Sequence, residues 1–180
     1  MANITLILGG ARSGKSSYAQ SLAEETGKFV TFLATAQPLD DEMSARIQKH
    51  RAERPASWET LEIPLDIATH VRQIKSDIVI LDCITLLVSN LLMQFVQQDL
   101  VDEALFLASL QKEMNELLSM LRTTDQHWLI ISNEVGLGLV PEYQMGRVYR
   151  DGLGWANQTL AREAEKVLWM VAGIPMIVKG

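Results

Sequence analysis

Residues 9–16, Gly-Gly-Ala-Arg-Ser-Gly-Lys-Ser, match the pattern G-x-x-x-x-G-K-[ST] of a phosphate-binding loop. An apolar, partly β-branched run at residues 4–8 precedes them, and helix-forming residues follow from Ser16 onward. In this position glycines let the backbone curl so that successive N–H groups face a phosphate, and the helix adds its positive end. A strand–turn–helix corner with incidental glycines is the alternative, but the flanking segments favour the loop. The motif therefore predicts that the chain binds a nucleoside triphosphate.

We call residues 9–16 the phosphate loop, and each position in it is a candidate nucleotide contact: Gly9, Gly10, Ala11, Arg12, Ser13, Gly14, Lys15 and Ser16. In loops of this kind the lysine, here Lys15, reaches the β- and γ-phosphates, which makes it a candidate catalytic residue. The hydroxyl group that follows, here that of Ser16, binds Mg²⁺. Mg²⁺ is therefore the expected cofactor.

The length and composition limit the class of protein. With 180 residues, 48% hydrophobic and 21% charged, the chain can bury a core and is not intrinsically disordered. We expect one nucleotide-binding catalytic domain, residues 1–180, because no linker-like stretch divides the chain. A formal net charge of −6 without a run of Lys or Arg argues against nucleic-acid binding. The single cysteine, Cys83, excludes a disulfide scaffold and a cysteine-based zinc site.

The apolar opening at residues 4–8 has no cationic region before it and is too short for a signal peptide core or a membrane span, so we expect a cytoplasmic protein without stable membrane insertion.

The alternation of strand-like and helix-like segments predicts the fold class. Residues 77–81 and 128–131 are continuous apolar runs, typical of strands buried in a parallel sheet. Residues 174–178 are expected at a sheet edge, because Pro175 has no N–H for a ladder hydrogen bond. The other expected strands are 4–8, 28–34, 58–63 and 167–171, and the expected helices are 16–25, 40–53, 65–75, 86–95, 101–121 and 149–165. We predict an α/β fold: a RecA-like P-loop NTPase with a mainly parallel sheet flanked by helices and a C-terminal antiparallel edge hairpin.

Two carboxylates follow predicted core strands at the sheet edge where ligands of parallel sheets bind. Asp82 ends the run at residues 77–82 and is the candidate that joins Ser16 in holding the metal, with a helix N-cap or turn role as the alternative. Glu134 follows residues 128–131 in the same way. It could act as a base or contact a second substrate, and an ordinary loop carboxylate is equally open.

His50 differs from the histidines at positions 70 and 127 in its neighbours. One helix face is shared by residues at a spacing of four: Glu42, Arg46, His50 and Arg54. A histidine flanked by guanidinium groups can meet a polyphosphate that the arginines hold, and those cations favour the neutral, nucleophilic imidazole. From the residues alone, a solvated helix of ion pairs is the favoured alternative.

Several motifs together resemble one family. They are the phosphate loop, residues 34–36, 40–50 with 51–55, 58–62, 81–85, 132–136 with 140–142, and 150–151 with 157–158. In order and spacing they resemble the bifunctional adenosylcobinamide kinase / adenosylcobinamide-phosphate guanylyltransferase enzymes of cobalamin biosynthesis. The phosphate loop is shared by many NTPases, whereas the histidine segment joined to residues 132–136 is far more specific.

The resemblance implies two activities. The first phosphorylates the hydroxyl of the aminopropanol arm of adenosylcobinamide with ATP or GTP. The second transfers GMP from GTP to that phosphate, giving adenosylcobinamide-GDP and pyrophosphate, through a covalent guanylyl-histidine. The position that matches this histidine is His50, preceded here by Lys49 where some relatives have a second histidine.

The resemblance also implies further nucleotide-contacting positions outside the phosphate loop: Ala34, Thr35, Ala36, Arg51, Ala52, Glu53, Arg54, Glu62 and Asp82. It points to a trimer, and the apolar stretches at residues 86–95 and 105–121 independently suggest a homo-oligomer. The partners it implies are GTP, ATP, adenosylcobinamide and adenosylcobinamide phosphate.

Two other functions fit the phosphate loop. A small-metabolite P-loop kinase without nucleotidyl transfer would use Lys15 and Asp82 but would retain no label from α-labelled GTP. A P-loop ATPase or GTPase switch would hydrolyse nucleotide slowly, ignore corrinoids and have no use for His50.

Overall fold

A computed structural model describes residues 3–71, 74–98 and 100–180, without the side chain of Arg46. The strands are β1 (Asn3–Gly9), β2 (Val30–Ala34), β3 (Glu59–Glu62), β4 (Ile78–Asp82), β5 (Val96–Gln97), β6 (Leu100–Val101), β7 (His127–Asn133), β8 (Lys166–Val171) and β9 (Ile174–Lys179). The helices are α1 (Lys15–Glu25), α2 (Asp41–Ala52), α3 (Ile67–His70), α4 (Ile84–Met93), α5 (Glu103–Leu121) and α6 (Gln144–Glu163).

Seven strands form one sheet in the order β3-β2-β4-β7-β1-β8-β9. All neighbours pair in parallel except β8 and β9, which form an antiparallel hairpin at the edge. The edge position predicted for Pro175 is confirmed, because β9 has β8 as its one neighbour. The mainly parallel sheet with flanking helices and a terminal edge hairpin confirms the predicted fold class.

The central strands are apolar on both faces because helices cover both sides of the sheet. Leu6, Leu81 and Ile130 pack toward one face with residues from α4, α5 and α6. Their chain neighbours Ile7 and Ile80 pack toward the other face with residues from α1. This alternation with a period of two gives the sheet two separate cores.

The apolar stretches at residues 86–95 and 105–121 are largely buried within the chain, in α4 and α5. Met93 and Leu105 are the exposed large apolar side chains described in these stretches, whereas β9 exposes four: Ile174, Met176, Ile177 and Val178. The exposed apolar side chains of β9 therefore support a homo-oligomer better than the two stretches in α4 and α5 do. Within the described residues, no helix is both long and apolar enough to cross a bilayer.

Three element predictions were wrong. The helix expected at residues 65–75 is the four-residue α3; residues 74–76 are not helical, and residues 72 and 73 lie outside the described part. The pair β5 and β6 between α4 and α5 was not predicted. Helix α6 begins at Gln144, five residues before the expected start at residue 149.

Close packing explains why the sequence pattern hid part of α6. A Cβ atom on Gly152 would lie 2.8 Å from Phe106 of α5, so this glycine lets the two helices approach each other. Glycine has a poor helix propensity, and the glycines of α6 weaken the helical pattern. The start of α6 is fixed by a tertiary contact instead: the Gln144 amide group accepts from the Val101 N–H at 3.1 Å and donates to the Val101 carbonyl oxygen at 3.4 Å.

His127 supplies a pH-dependent test of the fold. Its Nε2 lies 3.0 Å from Thr5 Oγ1, and burial lowers the pKa of the imidazole, with Glu165 acting in the opposite direction. The folded state therefore disfavours the protonated ring. Its stabilising contribution is complete above the ordinary histidine pKa of about 6.5 and is lost as the pH falls through the lowered value. We expect the urea midpoint to fall between about pH 7 and about pH 5, and His127→Gln to reduce that fall. An equal fall in both proteins would contradict this role.

Candidate active site

The phosphate loop joins β1 to α1 at the carboxyl edge of the sheet. A Cβ atom on Gly9 would lie 2.7 Å from the Met170 carbonyl oxygen, so a larger residue would not fit there. Gly14 has φ 93° and precedes α1 without a side-chain cap. The N–H groups of the first turn of α1 therefore remain available, as the binding of an anion at a helix N-terminus requires.

Lys15 is 7% exposed, and its Nζ donates a hydrogen bond to the Gly10 carbonyl oxygen at 2.6 Å. Burial lowers the pKa of the ammonium group, opposed by Cys83 and Asp82. Burial also raises the pKa of the Cys83 thiol to about 12, so that thiol is neutral at physiological pH. Asp82 is therefore the anion beside Lys15. This places a cation and a carboxylate together at the phosphate loop, as phosphoryl transfer requires.

Asp82 lies at the end of β4, where it pairs with Ala34 of β2 and Ile131 of β7. The helix N-cap alternative for Asp82 is excluded, because Cys83 is the N-cap of α4. The peptide bond between Asp82 and Cys83 is cis. As the last residue of β4, Asp82 lies at the sheet edge that carries the phosphate loop.

Thr35 connects the ends of β2 and β4. Its hydroxyl donates to the Cys83 carbonyl oxygen at 2.7 Å and accepts from the Cys83 N–H at 2.9 Å. Its own N–H donates to the Asp82 carbonyl oxygen at 3.1 Å, and its carbonyl oxygen accepts from the Asn90 amide at 2.8 Å. Because these polar groups are already engaged, we expect Thr35 to hold the shape of the site. Its neighbours Ala34 and Ala36 lie at the same edge.

Ser16 and Asp82 fit the chemistry of a nucleotide-bound Mg²⁺ ion. In the described part of the chain, no three His, Cys, Asp or Glu side chains are grouped as a metal site. Mg²⁺ at such sites takes one or two protein oxygens and completes its shell with phosphate oxygens and water. A hydroxyl and one carboxylate are therefore a sufficient donor set, and the metal site remains a prediction.

Arg54 follows the end of α2 and contacts β2 of the sheet. Its guanidinium carbon lies 3.4 Å from the centre of the Phe32 ring on β2. Burial lowers the pKa of Arg54, opposed by the charge of Asp82. Its Nε is buried without a hydrogen-bond partner among the described residues. Arg54 therefore places a second cation near Asp82, with a donor left over for a ligand.

His50 lies in the last turn of α2, four residues before Arg54, which follows the end of the helix. Its Nδ1 lies 3.5 Å from a carboxylate oxygen of Glu53, and its side chain is 43% exposed. Among the α2 residues whose side chains are described, none is buried, and Arg46 is not among them. An exposed helix of ion pairs fits these contacts too, so the catalytic role of His50 stays a prediction.

Other predicted nucleotide contacts lie around α2. Arg51 pairs with Glu62 of β3 at 3.6 Å, and both side chains are more than half exposed. A cleft of about 220 Å³ is lined by Arg51, Arg54, Trp58 and Thr60, among others. Ala52 and Glu53 are exposed beside it. The structure thus brings Arg51 and Arg54 together on one concave surface.

Glu134 lies beside the phosphate loop. The register pairs Gly9 with Asn133, and the Glu134 N–H donates to the Gly9 carbonyl oxygen at 3.1 Å. The Glu134 carboxylate accepts a hydrogen bond from the N–H of Gly136, so it is turned onto its own loop. Its position supports a contact with the substrate, while its part as a base stays a prediction.

Some supporting residues received no role from the sequence, although Thr85 and Asn157 lie in the motifs that resemble the family. Asn90 holds the carbonyl oxygens of Thr35 and Pro64, and the Thr85 hydroxyl accepts from the Asn133 N–H at 2.7 Å. Asn157 donates to the Asn133 carbonyl oxygen at 3.0 Å. Each of these polar residues lies in a helix, and its hydrogen-bond partner is distant in the sequence. The spacing of residues therefore does not identify these contacts.

The comparison with protein families decides which family this is. Residues 5–178 match the CobU family model, described as "Cobinamide kinase / cobinamide phosphate guanyltransferase". The chain belongs to this family. The resemblance inferred from the motifs is confirmed.

Curated members of the CobU family align over nearly the whole chain. The bifunctional adenosylcobalamin biosynthesis protein CobP of Pseudomonas aeruginosa is 44% identical, over 97% of this chain and 96% of its own length. Proteins named CobU from Escherichia coli and Salmonella typhimurium are each 38% identical, over 97% of this chain and 98% of their own lengths. Among solved structures, the RadB recombinase aligns with a TM-score of 0.48 at 14% identity, over 93% of this chain and 73% of its own.

The turn between β8 and β9 supports the phosphate loop of this CobU-family chain. The Gly173 N–H donates to the Ser13 carbonyl oxygen at 2.9 Å, and a Cβ atom on Gly14 would lie 3.1 Å from Gly173 Cα. The Ala172-Gly173 turn was predicted, but its contact with residues far away in the sequence was not. The hairpin therefore helps to fix the conformation that the loop needs for phosphate binding.

Gly14→Ala tests this contact. We expect the Kd for GTP to rise at least about ten-fold, because the new Cβ is disfavoured at positive φ and presses on Gly173. Titration calorimetry measures the effect. The matched control is Gly154→Ala on α6, where a Cβ meets open space. It should bind GTP normally and unfold at equal or higher urea concentration. Normal GTP binding by Gly14→Ala would show that the close contact is unimportant.

Proposed function

We propose that this chain is a bifunctional enzyme of adenosylcobalamin biosynthesis. It phosphorylates adenosylcobinamide with ATP or GTP and then transfers GMP from GTP to that phosphate, giving adenosylcobinamide-GDP and pyrophosphate. The observation that carries the proposal is the family match over residues 5–178. The buried Lys15 beside Asp82 at the phosphate loop supplies the chemistry that the family name requires.

In the phosphorylation step the substrate hydroxyl attacks the γ-phosphorus and the nucleoside diphosphate leaves. The N–H groups of the phosphate loop and the Lys15 ammonium stabilise the charge on the phosphate oxygens. Ser16 and Asp82 would hold the Mg²⁺ that accompanies the nucleotide and neutralises part of that charge when bound. Asp82 and Glu134 are the candidates to accept the hydroxyl proton. An unchanged phosphorylation rate in Glu134→Gln would remove Glu134 from that role.

The transfer step uses His50 as the nucleophile. Since Nδ1 faces Glu53 at 3.5 Å, Nε2 is the nitrogen that faces away from this carboxylate and is available for attack. A bond forms between Nε2 and the α-phosphorus of GTP, and the bond to the bridging oxygen breaks to release pyrophosphate. A phosphate oxygen of adenosylcobinamide phosphate then displaces the histidine. Splitting the transfer in this way replaces one difficult displacement with two easier ones.

The cations around α2 support this role. Arg51 and Arg54 line one cleft, and the Nε of Arg54 is buried without a partner among the described residues. Guanidinium groups bind phosphate oxygens in a fixed geometry. The carboxylate of Glu53 would in turn stabilise the positive charge that the histidine acquires on attack.

The assembly and location are part of the same proposal. We infer a cytoplasmic homo-oligomer, a trimer by the family resemblance. The exposed apolar side chains of β9 and the free edge of that strand supply a surface on which copies could meet.

The test is direct product analysis. The purified chain is incubated with adenosylcobinamide, GTP and Mg²⁺, and the corrinoids are separated by chromatography and identified by mass. We expect adenosylcobinamide phosphate first, then adenosylcobinamide-GDP together with pyrophosphate. A kinase without nucleotidyl transfer would stop at the phosphate, and a nucleotide switch would leave the corrinoid unmodified.

A further inference from the structure

The segment after Glu134 exposes large apolar side chains next to the candidate active site. We call residues 135–143 the apolar loop. In it Leu137 is 82% exposed, Leu139 97%, Val140 62% and Tyr143 63%. Residues 135–141 contain no charged side chain, so this surface is unlike the arginine-lined cleft near α2. Such a concentration of exposed apolar side chains in one segment indicates a binding surface.

Polar contacts hold the apolar loop at both ends. At the first end the Glu134 carboxylate accepts from the Gly136 N–H. At the second end the Arg147 guanidinium donates to the carbonyl oxygens of Pro141 at 3.0 Å and Glu142 at 2.6 Å. The loop ends are therefore fixed by hydrogen bonds, while Leu137 and Leu139 remain free to contact a ligand.

The apolar loop begins at the phosphate loop. The Glu134 N–H donates to the Gly9 carbonyl oxygen at 3.1 Å, and Gly9 is the first residue of the phosphate loop. A substrate resting on the apolar loop would therefore lie next to the bound triphosphate. This is where a molecule must lie if one of its hydroxyl groups is to receive the γ-phosphate.

A second surface, which is part apolar and part polar, adjoins the apolar loop. Gln144, which follows the loop, is paired with Val101 of β6. Strands β5 and β6 line a cleft of about 700 Å³, in which apolar side chains alternate with polar ones: Phe95, Leu100, Val101 and Leu105 beside Gln94, Gln97, Gln98 and Asp102. Apolar side chains with a few polar groups among them are typical of small-molecule sites.

We propose that the apolar loop and the β5–β6 hairpin bind the corrin macrocycle of the substrate, with the aminopropanol arm directed toward Lys15. This inference rests on the proposed function, which supplies a substrate with a large macrocycle and a hydroxyl group on a flexible arm. The triphosphate takes the arginine-lined side of the site, and the macrocycle takes the side that carries the apolar loop. A second copy of the chain has a better surface in β9, whose outer backbone edge pairs with no other strand in the described part of the chain.

The test is the double substitution Leu137→Ser with Leu139→Ser. Both side chains are largely exposed, so their removal leaves the core intact. The control is Phe29→Ser, which removes a side chain that is 72% exposed. Phe29 lies just before β2, at the amino ends of the parallel strands, whereas the phosphate loop lies at their carboxyl ends. Cobinamide binding is measured by equilibrium dialysis, using its visible absorbance. The KM values for adenosylcobinamide and for GTP are measured in the kinase assay, and the oligomer mass by light scattering.

We expect the double variant to raise the cobinamide Kd and the KM for adenosylcobinamide at least ten-fold, with an unchanged KM for GTP and unchanged oligomer mass. Phe29→Ser should match the wild type. Unchanged cobinamide binding, an equal effect of Phe29→Ser or a fall in oligomer mass would overturn the proposal. Cobinamide binding without phosphorylation by the wild type would contradict the proposed function alone, and this surface would stand if the double variant then lost that binding.

Discussion

Lys15→Met is expected to lower kcat/KM for both phosphorylation and guanylyl transfer by at least about 10²- to 10³-fold, as for the loss of one charge-stabilising donor. Methionine keeps the apolar stem and removes the ammonium group. In the proposed function both steps place a triphosphate in the same phosphate loop, so we expect both to fail together. The measurement is product formation with adenosylcobinamide and with adenosylcobinamide phosphate as separate substrates.

Protein stability separates this effect from unfolding. The ammonium of Lys15 is buried, and burial disfavours its charged form, so a neutral side chain of similar shape should not destabilise the fold. We expect Lys15→Met to unfold at the same or a higher urea concentration than the wild type. Lys28→Met, which changes an exposed lysine before β2, should retain both activities. Retention of either activity by Lys15→Met would argue that this step uses a different phosphate site.

The phosphate loop, Asp82 and the sheet were predictable because their signals are local. A strand, a glycine-rich turn and a helix occupy adjacent positions in the sequence, and the apolar run before Asp82 ends where β4 ends. In a parallel sheet such strand ends share one edge, so local patterns are enough to place Lys15 and Asp82 together. The family resemblance added what these patterns leave open, namely the corrinoid substrate and the role of His50.

Long-range contacts account for what the sequence did not show. The position of Arg54 depends on stacking against Phe32, 22 residues earlier in the chain by number, and on the charge of Asp82. The conformation of the phosphate loop depends on Gly173 in the last hairpin. The start of α6 depends on the pairing of Gln144 with Val101. None of these contacts leaves a periodic pattern, because each joins segments that are distant in the sequence.

Arg54 links the C-terminal end of α2, the helix that carries His50, to the phosphate site through its contact with Phe32 of β2. Since α2 contributes no buried side chain among those described, its placement depends on polar and stacking contacts near its C-terminal end. A buried N–H donor without a partner, such as the Nε–H of Arg54 among the described residues, is costly unless a ligand completes its hydrogen bond. A phosphate of the nucleotide would accept this hydrogen bond from Arg54. The negatively charged phosphate would then lie near the last turn of α2, which carries His50.

His50→Ala is therefore expected to separate the two activities. Without the imidazole no covalent intermediate can form, so guanylyl transfer should fall by at least about 10³-fold, as in other enzymes that lose their nucleophile. Phosphorylation uses the phosphate loop directly and needs no histidine, so it should change by no more than a few-fold.

Incubation with α-³²P-labelled GTP followed by denaturing electrophoresis measures the intermediate. The wild type should retain an acid-labile, base-stable label, as expected for a phosphoramidate. The label should persist in His70→Ala and His127→Ala and be absent from His50→Ala. Label on His50→Ala would assign the nucleophile to another residue, and loss of phosphorylation in that variant would mean that the two steps share more than the phosphate loop.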